Sequence, residues 1–397
     1  MRSVTLFILA ALSSFYSFSG ELTDAFKNGD LLLDMQLRLE TVDMDGFSED
    51  ALAPTLRTRL GYRTAAYHHW YLLADFEDLY AISDDHYNNT KNGNIEYPVV
   101  VDPDDTELNQ AYLAWKPTKK RAVKLGRQRL IFDNARFVGN VGWRQNEQTF
   151  DGITWTESFN EKSKLTLAYI ANINRIFGEN HPDPLKADLR TSTILANFKL
   201  AKMPLGDLVV FGYFIDFDDL PANSQRTLGF RLNGKQEMGD MAWVYELSYA
   251  DQTDYADGSD FIDTNYYRVT FGPKWANYTL TLNYEVLGGD GGYGFSTPLA
   301  TLHAFNGWAD QFLGTPANGL VDTFVQFNYV RNKWKMVAAY HQFEADEGGS
   351  DYGTELDFLT AYKINKQWDT GLKYADYAED GFKADTSKLW LWVHFKP

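Results

Sequence analysis

Hydrophobic and polar residues alternate along most of the chain from Gly29 onward, in segments of about ten residues separated by turns. In an early segment the odd-numbered positions from Leu33 to Leu39 are apolar, whereas the even-numbered positions from Asp34 to Glu40 are polar or charged. This alternation is expected where one face of a strand meets lipid and the other meets a polar lumen. Counting the segments gives about eighteen, an even number, as in single-chain bacterial barrels. The pattern therefore predicts an all-β fold: a transmembrane antiparallel β-barrel of about 18 strands.

The connections between the segments are alternately short and long. The short ones are Lys116–Thr118, Ala201–Leu205, Asn233–Glu237, Gly272–Lys274, Arg331–Asn332 and Asn365–Lys366. The long ones are Ile82–Thr106, Ile131–Gln148, Phe177–Leu189, Gln252–Asp263 and Gly288–Leu320. Outer-membrane barrels have short periplasmic turns and long extracellular loops. We therefore expect the long connections to face the outside of the cell.

Tryptophan placement gives an independent indication of a membrane barrel. Indole rings prefer the membrane–water interface, and a soluble all-β protein has no reason to gather them at one end. The mean hydropathy of −0.39 is low, but only half of each barrel strand faces lipid. The tryptophans beside predicted short turns are Trp70, Trp115, Trp275, Trp334 and Trp368.

The first twenty residues have the features of a secretory signal. Met1-Arg2 supplies the positive start, Val4 to Phe18 is mostly apolar, and small residues precede a cleavage site at Ser19 or Gly20. The apolar core is too short to span a bilayer as a helix, which disfavours the alternative of an N-terminal anchor. We therefore predict a signal peptide at residues 1–20 and a single barrel domain at residues 21–397.

The formal net charge of −17 argues against a nucleic-acid partner, because phosphate binding needs a basic surface. Many acids lie in the connections, where they form solvated surface or, alternatively, bridge to lipopolysaccharide through divalent cations. The seven histidines are scattered, and neither a nucleophile elbow nor a phosphate loop occurs. The sequence therefore predicts no catalytic residues, no metal and no cofactor.

Arginine recurs on the polar faces of the strands. Arg127 and Arg129 belong to a strand of ambiguous register. We assign them to the lumen as well, because placing a charged side chain against lipid is energetically costly. Inward guanidinium groups predict anion selectivity, because they replace the water that a carboxylate or phosphate loses. The alternative is a wall of arginine–acid pairs that fills and stiffens the lumen. The arginines opposite the apolar faces are Arg38, Arg57, Arg59, Arg63, Arg231 and Arg268.

The segment from Gly126 to Gly152 reads GRQRLIFDNARFVGNVGWRQNEQTFDG and contains four Arg, three Asn and four Gly. It covers the end of one predicted strand, a long connection and the start of the next strand. A polar loop of this length can fold into the lumen as a constriction, or it can remain a surface excursion.

This segment resembles the alginate export family of outer-membrane porins. The resemblance implies an 18-stranded barrel whose arginine-rich constriction conducts an acidic polysaccharide. It adds Arg136, Arg144, Asp133 and Glu147 to the candidate pore-lining residues. The positions that match the family's motif are Arg127, Gln128, Arg129, Asp133, Asn134, Arg136, Arg144, Gln145, Asn146, Glu147 and Asp151.

These observations predict a monomeric porin, integral to the outer membrane of a Gram-negative cell. It would pass anionic saccharides such as alginate-like uronates by passive diffusion through an arginine-lined pore. The expected partners are the saccharide, outer-membrane lipid and lipopolysaccharide, and the barrel-assembly machinery. Three alternatives remain: a less selective porin for small acids, a barrel enzyme that hydrolyses lipid or envelope polymer, and an adhesive barrel whose loops bind partners.

Overall fold

The structure is a computed structural model that describes residues 20–397. The predicted signal peptide therefore lies outside the described residues, except for Gly20. Helix α1, Gly20–Lys27, precedes the first strand, and a short helix α2, Pro184–Ala187, lies in one long connection. Among residues 20–397 no helix is long and apolar enough to cross a membrane.

Eighteen antiparallel strands form one closed sheet. Each strand pairs with its neighbour in sequence, and the first pairs with the last from Met35 opposite Phe395 to Met44 opposite Thr386. The predicted barrel and its strand number are confirmed. The strands are β1 Asp30–Met44, β2 Ala51–Arg63, β3 Trp70–Ala81, β4 Asp105–Trp115, β5 Arg121–Gln128, β6 Thr149–Ser158, β7 Ser163–Asn174, β8 Asp188–Met203, β9 Gly206–Ile215, β10 Gln225–Met238, β11 Met241–Asp254, β12 Asp263–Trp275, β13 Tyr278–Leu287, β14 Leu320–Arg331, β15 Trp334–Glu344, β16 Asp351–Lys363, β17 Trp368–Glu379 and β18 Thr386–Phe395.

The two faces of the sheet have the predicted chemistry. Across β2 and β3, Leu60 lies opposite Phe76, and these side chains are on the outer surface with 44% and 52% of their area exposed. One position away, Arg59 lies opposite Glu77, and both side chains point inward and are ion-paired. Since successive side chains point to opposite faces of a strand, one register fixes an apolar outer wall and a charged lumen together.

Long and short connections alternate around the barrel. The long-loop end carries residues 45–50, 82–104, 129–148, 175–187, 216–224, 255–262, 288–319, 345–350 and 380–385. Two predicted turns are wrong, because Asn233–Glu237 lies inside β10 and Gly272–Lys274 lies inside β12. The real turns follow Met238 and Trp275.

The two misread segments contain glycines that leave room for neighbours rather than make turns. A Cβ on Gly234 would lie 2.5 Å from the ring of Tyr245, and a Cβ on Gly272 would lie 1.9 Å from the carbonyl oxygen of Leu280. Glycine inside a strand often marks such a close approach, although the same residue in a sequence suggests a turn.

The aromatic belt is at the short-turn end, as predicted. Trp70 lies opposite Trp115, with ring centroids 6.1 Å apart. Trp334 and Trp368 lie 4.6 Å from the rings of Tyr362 and Phe395, respectively. Such a belt is expected where an apolar wall ends at the interface.

The alternation of connections predicts the sidedness of the barrel. Gly348 and Gly349 lie in a long connection, and Gly239 lies in the turn between β10 and β11; a Cβ on any of them would meet nothing within 4 Å. An epitope inserted between Gly348 and Gly349 should bind antibody on intact cells. The same epitope after Gly239 should bind only after the outer membrane is permeabilised. The reverse labelling would show that the barrel is inserted the other way.

Candidate functional site

Two long connections fold into the lumen and join each other there. We call residues 129–148 the first lumen loop and residues 288–319 the second lumen loop. Val138 and Leu299 form a parallel β-bridge, and the backbone N–H of Gly139 donates to the carbonyl of Leu299 at 2.8 Å. The N–H of Thr301 donates to the carbonyl of Ala135 at 3.0 Å. The two loops therefore form one unit.

The first anchor of this unit is a buried charge cluster around Arg144. One Nη of Arg144 donates to Glu40 of β1 at 3.0 Å, and the other donates to Asp310 of the second lumen loop at 3.0 Å. Lys388 of β18 also donates to Asp310, at 2.9 Å. Arg144, Glu40 and Asp310 are each less than a tenth exposed. Removing one member of such a cluster leaves an uncompensated buried charge.

The second anchor is an aromatic cage around Lys373 of β17. Its Nζ lies 4.1 Å from the ring centroid of Trp143 in the first lumen loop and 3.9 Å from that of Trp308 in the second. A third ring, Trp390 of β18, lies 5.3 Å away. The desolvated ammonium is attracted to all three ring faces. One wall cation therefore holds both loops.

His303 completes this cage as a neutral hydrogen-bond relay. Burial lowers the pKa of His303 to about 3, despite the nearby carboxylate of Asp310. Lys373 donates to Nε2 at 2.5 Å, and Nδ1 lies 2.6 Å from Asp310. A neutral ring that accepts at Nε2 carries its proton at Nδ1, so Nδ1 donates to the carboxylate. The relay links the aromatic cage to the Arg144 cluster.

The third anchor is Glu147, which is 2% exposed. Arg129 donates to it at 2.6 Å, and Arg59 of β2 lies 3.6 Å away. Asn109 of β4 and Asn140 of the same loop donate at 2.8 Å and 2.5 Å. A carboxylate with this many donors stays ionised in a buried place. Burial alone would raise the pKa of Glu147, but these partners lower it to about 2.

Each of the ten arginines singled out in the sequence forms an ion pair. The arrangement matches the predicted alternative of arginine–acid pairs more closely than a ring of free guanidinium groups. Asp133, the remaining acidic candidate, accepts a 2.7 Å hydrogen bond from Asn197 of β8. The pairs are Arg38–Asp102, Arg57–Asp34, Arg59–Glu77, Arg63–Asp30, Arg127–Asp151, Arg129–Glu147, Arg136–Glu285, Arg144–Glu40, Arg231–Glu246 and Arg268–Glu285.

Register corrects the predicted placement of Arg127. Leu125 lies opposite Leu113 and Ile153, all three on the exposed outer wall. Arg127 is two residues further along the same strand, so it shares the outer face, whereas Gln128 is fully buried on the inner side. Arg127 was assigned to the lumen because placing a charged side chain against lipid is energetically costly. It lies near the end of β5, and the hydrogen bond that its Nε donates to Asp151 at 2.9 Å reduces this cost on the outer face.

A group of lysines at the short-turn end of the lumen, which we call the lysine-lined mouth, was not predicted from the sequence. A cavity of about 470 Å³ there also touches His394 and Asp369. The alternation of the strands could have revealed them, because every second residue of a strand faces the same side. Counting in twos from the inward His341 reaches Lys335, and counting in twos from the inward Asp357 reaches Lys363. The five lysines that line it are Lys333, Lys335, Lys363, Lys366 and Lys396.

Comparison with known proteins supplies the family. The family model described as alginate export matches residues 48–299. The chain belongs to the alginate export family. Those residues include β2 to β13, the first lumen loop and the start of the second. The protein is an outer-membrane channel of the porin type and is integral to the outer membrane. No curated protein matches the chain.

Solved structures support the same fold. The chain is similar to OccAB4 of Acinetobacter baumannii, with a TM-score of 0.73 and 14% identity over 93% of this chain and 98% of that one. It is similar to OpdK of Pseudomonas aeruginosa solved with vanillate, with a TM-score of 0.71, 14% identity and coverage of 93% and 98%. Another structure of OpdK, an outer membrane protein, gives a TM-score of 0.68 at the same identity and coverage.

The anchors predict that the loops loosen when Arg144 is lost. Arg144→Ala leaves Glu40 and Asp310 buried with fewer partners, at a cost of about 3–5 kcal/mol. We expect a larger and noisier single-channel conductance in planar bilayers. Arg190→Ala is the matched control, because the Arg190–Asp219 pair is outside the lumen loops and Arg190 is 71% exposed. Equal conductance of both variants and the wild type would show that Arg144 does not hold the loops.

Proposed function

We propose that the protein is a passive channel for anionic saccharides of the uronate class. Uronates gather at the lysine-lined mouth of the short-turn end and cross a lumen in which arginines and acids alternate. The lysine-lined mouth is the observation that carries this proposal. In a chain of net charge −17, five lysines around one cavity are a strong local exception.

Nearby acids offset only part of the charge of this mouth, since Asp369 lines the cavity and Lys396 lies 3.6 Å from Asp34. Within residues 20–397, no carboxylate lies within 4.0 Å of the ammonium groups of Lys335, Lys363 or Lys366. Carboxylates of the distant loops are screened over a Debye length of about 8 Å at physiological salt. A cleft with an excess of one sign of charge raises the local concentration of counter-ions, and because lysines outnumber acids here the counter-ions are anions.

Arg129 supports a binding step further inside the lumen. Its side chain is 34% exposed, more than those of Arg59, Arg231 and Arg268, at 14%, 20% and 15%. Its partner Glu147 has other donors, so the guanidinium can turn toward a passing carboxylate without leaving Glu147 unpaired. Guanidinium grips a carboxylate through two hydrogen bonds, and several modest sites in series favour transport over retention.

The lumen loops favour a second candidate, a less selective porin for small acids. The joined loops contact walls on different sides of the lumen, from Glu40 of β1 to Glu285 of β13. A polymer has to pass or displace this unit, whereas a small acid needs only a narrow path. The proposals differ in the chain length that the channel accepts.

No comparable observation supports the alternative that the barrel is an enzyme. His303 pairs with Asp310, and His341 pairs with Asp322 at 2.8 Å. In the part of the chain that the structure describes, neither imidazole is hydrogen-bonded to a hydroxyl that could serve as a nucleophile. The family and the similar structures are channels.

The lysine-lined mouth predicts anion preference. The reversal potential across a KCl gradient should indicate greater chloride than potassium permeability. Replacing Lys335 and Lys363 together by Gln should reduce this preference, because two unpaired cations are lost from one cavity. Replacing Lys119 and Lys120, in another short turn, by Gln serves as the control. Potassium preference in the wild type would mean that the inward acids dominate the field.

Arg129 predicts the response to oligo-uronates. Arg129→Ala should weaken the block of ion current by oligo-uronate about tenfold, as expected for the loss of a charge-assisted contact of about 1.5 kcal/mol. Arg57→Ala should change the block less, since Arg57 is only 6% exposed and is paired with Asp34. A series of uronates from one to six sugars would separate the two candidates. Block by the monomer alone would favour the small-acid porin.

A further inference from the structure

The two ends of the barrel carry net charge of opposite sign. The nine long connections contain 23 acidic and 7 basic side chains, and three of the seven are arginines of the first lumen loop that are paired with acids. At the short-turn end, helix α1, the eight turns and the residues after β18 contain eight basic and four acidic side chains. The acidic excess of the chain is therefore concentrated at the long-loop end.

Individual strands show the same division. β16 begins at Asp351 at the long-loop end and finishes at Lys363 at the short-turn end. β8 begins at Asp188 and carries Lys199 and Lys202 toward its other end. The separation of charge thus runs along the barrel axis and does not come from one unusual loop.

The wall between the two ends is largely balanced. Arg57 pairs with Asp34 at 2.5 Å, and Arg231 pairs with Glu246 at 2.5 Å. The 13 residues of β16, tilted as barrel strands are, extend for about 30 Å along the axis. This length is several times the Debye length of about 8 Å at physiological salt. The lumen therefore joins an acidic mouth to a basic mouth that is electrically separate from it.

Each mouth gathers the ion of opposite sign, so cations collect at the long-loop end and anions at the lysine-lined mouth. A positive voltage on the long-loop side drives both of these ions into the lumen. The opposite voltage draws both of them out, and the ions that would replace them have to enter through a mouth of their own sign. The lumen is therefore filled with ions at one polarity and depleted at the other.

We propose that the protein is a rectifying channel, in which an applied voltage moves anions more readily from the short-turn end to the long-loop end than in reverse. With the sidedness that the connections predict, this favoured direction is outward for anions. At zero voltage the net flow still follows the gradient, because fixed charges change rates and supply no energy. The inference concerns the direction of ion flow and does not require that the anion is a uronate.

Single-channel current–voltage curves of the full-length protein in symmetrical KCl test this proposal. An uncharged epitope between Gly348 and Gly349, with antibody in one chamber, reports the orientation of each inserted channel. In about 0.1 M KCl the current should be about twofold or more larger when the long-loop side is positive. In about 1 M KCl the Debye length falls from about 10 Å to about 3 Å, so the two currents should become nearly equal.

Neutralising the acidic mouth should reduce the ratio of the two currents. Asp84, Asp85, Asp257 and Asp260 are exposed in two long connections, and the test variant replaces all four with Asn. The matched control combines Glu161→Gln with Asp240→Asn, at exposed positions of two short turns. The same chemical change makes that end more basic, so the control should keep or raise the ratio.

Three results would overturn the proposal. The first is a wild-type curve in about 0.1 M KCl that is symmetrical or larger at the opposite polarity. The second is a ratio that persists in about 1 M KCl, since it would come from movement of the lumen loops and not from charge at the mouths. The third is a wild-type ratio in the fourfold variant. The uronate channel is tested separately, because absence of block by oligo-uronate would contradict it and leave rectification in KCl intact.

Discussion

Every N–H and C=O group of a strand that faces lipid has to find its partner inside the protein, and closure of the sheet meets this requirement. The pairing of β1 with β18 removes the last free edge. Once the sheet is closed, the two-residue period of each strand puts half of its side chains into the lumen. The apolar outer wall and the charged inner wall are therefore two results of one register, and the functional residues lie on the inner one.

The charged inner wall explains why the lumen loops take one arrangement. Buried ions add little net stability, but breaking a pair by removing one partner is costly. Glu40 and Glu285 of the wall each need a cation, which Arg144 and Arg136 of the first lumen loop supply, and Glu147 of that loop lies 3.6 Å from Arg59 of the wall. The Lys373 cage adds the second lumen loop to the same unit. Charge pairing thus specifies where the loops lie, and the unpaired remainder marks the sites available to a ligand.

The sequence predicted the barrel because alternation is a local property that repeats along every strand. Face assignment succeeded where the alternation is clean, as for Arg59 and Leu60. It failed at Arg127. The energetic cost of placing a charge against lipid suggested the lumen, but the ion pair with Asp151 lowers that cost and Arg127 lies on the outer face. Gly272 and Gly234 were misread because a sequence cannot tell a turn from a close approach between strands.

The candidate site was less predictable than the fold. The arginines of the first lumen loop were found by composition and by family resemblance, but their partners come from distant strands. Arg136 and Glu285 are separated by 149 positions, and Arg144 and Glu40 by 104. No local pattern encodes such pairs. The absence of an acidic partner is also a tertiary property, so Lys335 and Lys363 at the mouth did not stand out.

The proposed channel requires that cations dominate the potential at the lysine-lined mouth, although the chain as a whole is acidic. The sequence contains no Cys, so Gln367→Cys places a unique thiol at the lysine-lined mouth. The rates at which an anionic and a cationic thiosulfonate of similar size modify this thiol, each divided by its rate with a free thiol, measure the local potential directly. We expect the anionic reagent to react several-fold faster on this scale. Faster reaction of the cationic reagent would contradict the account.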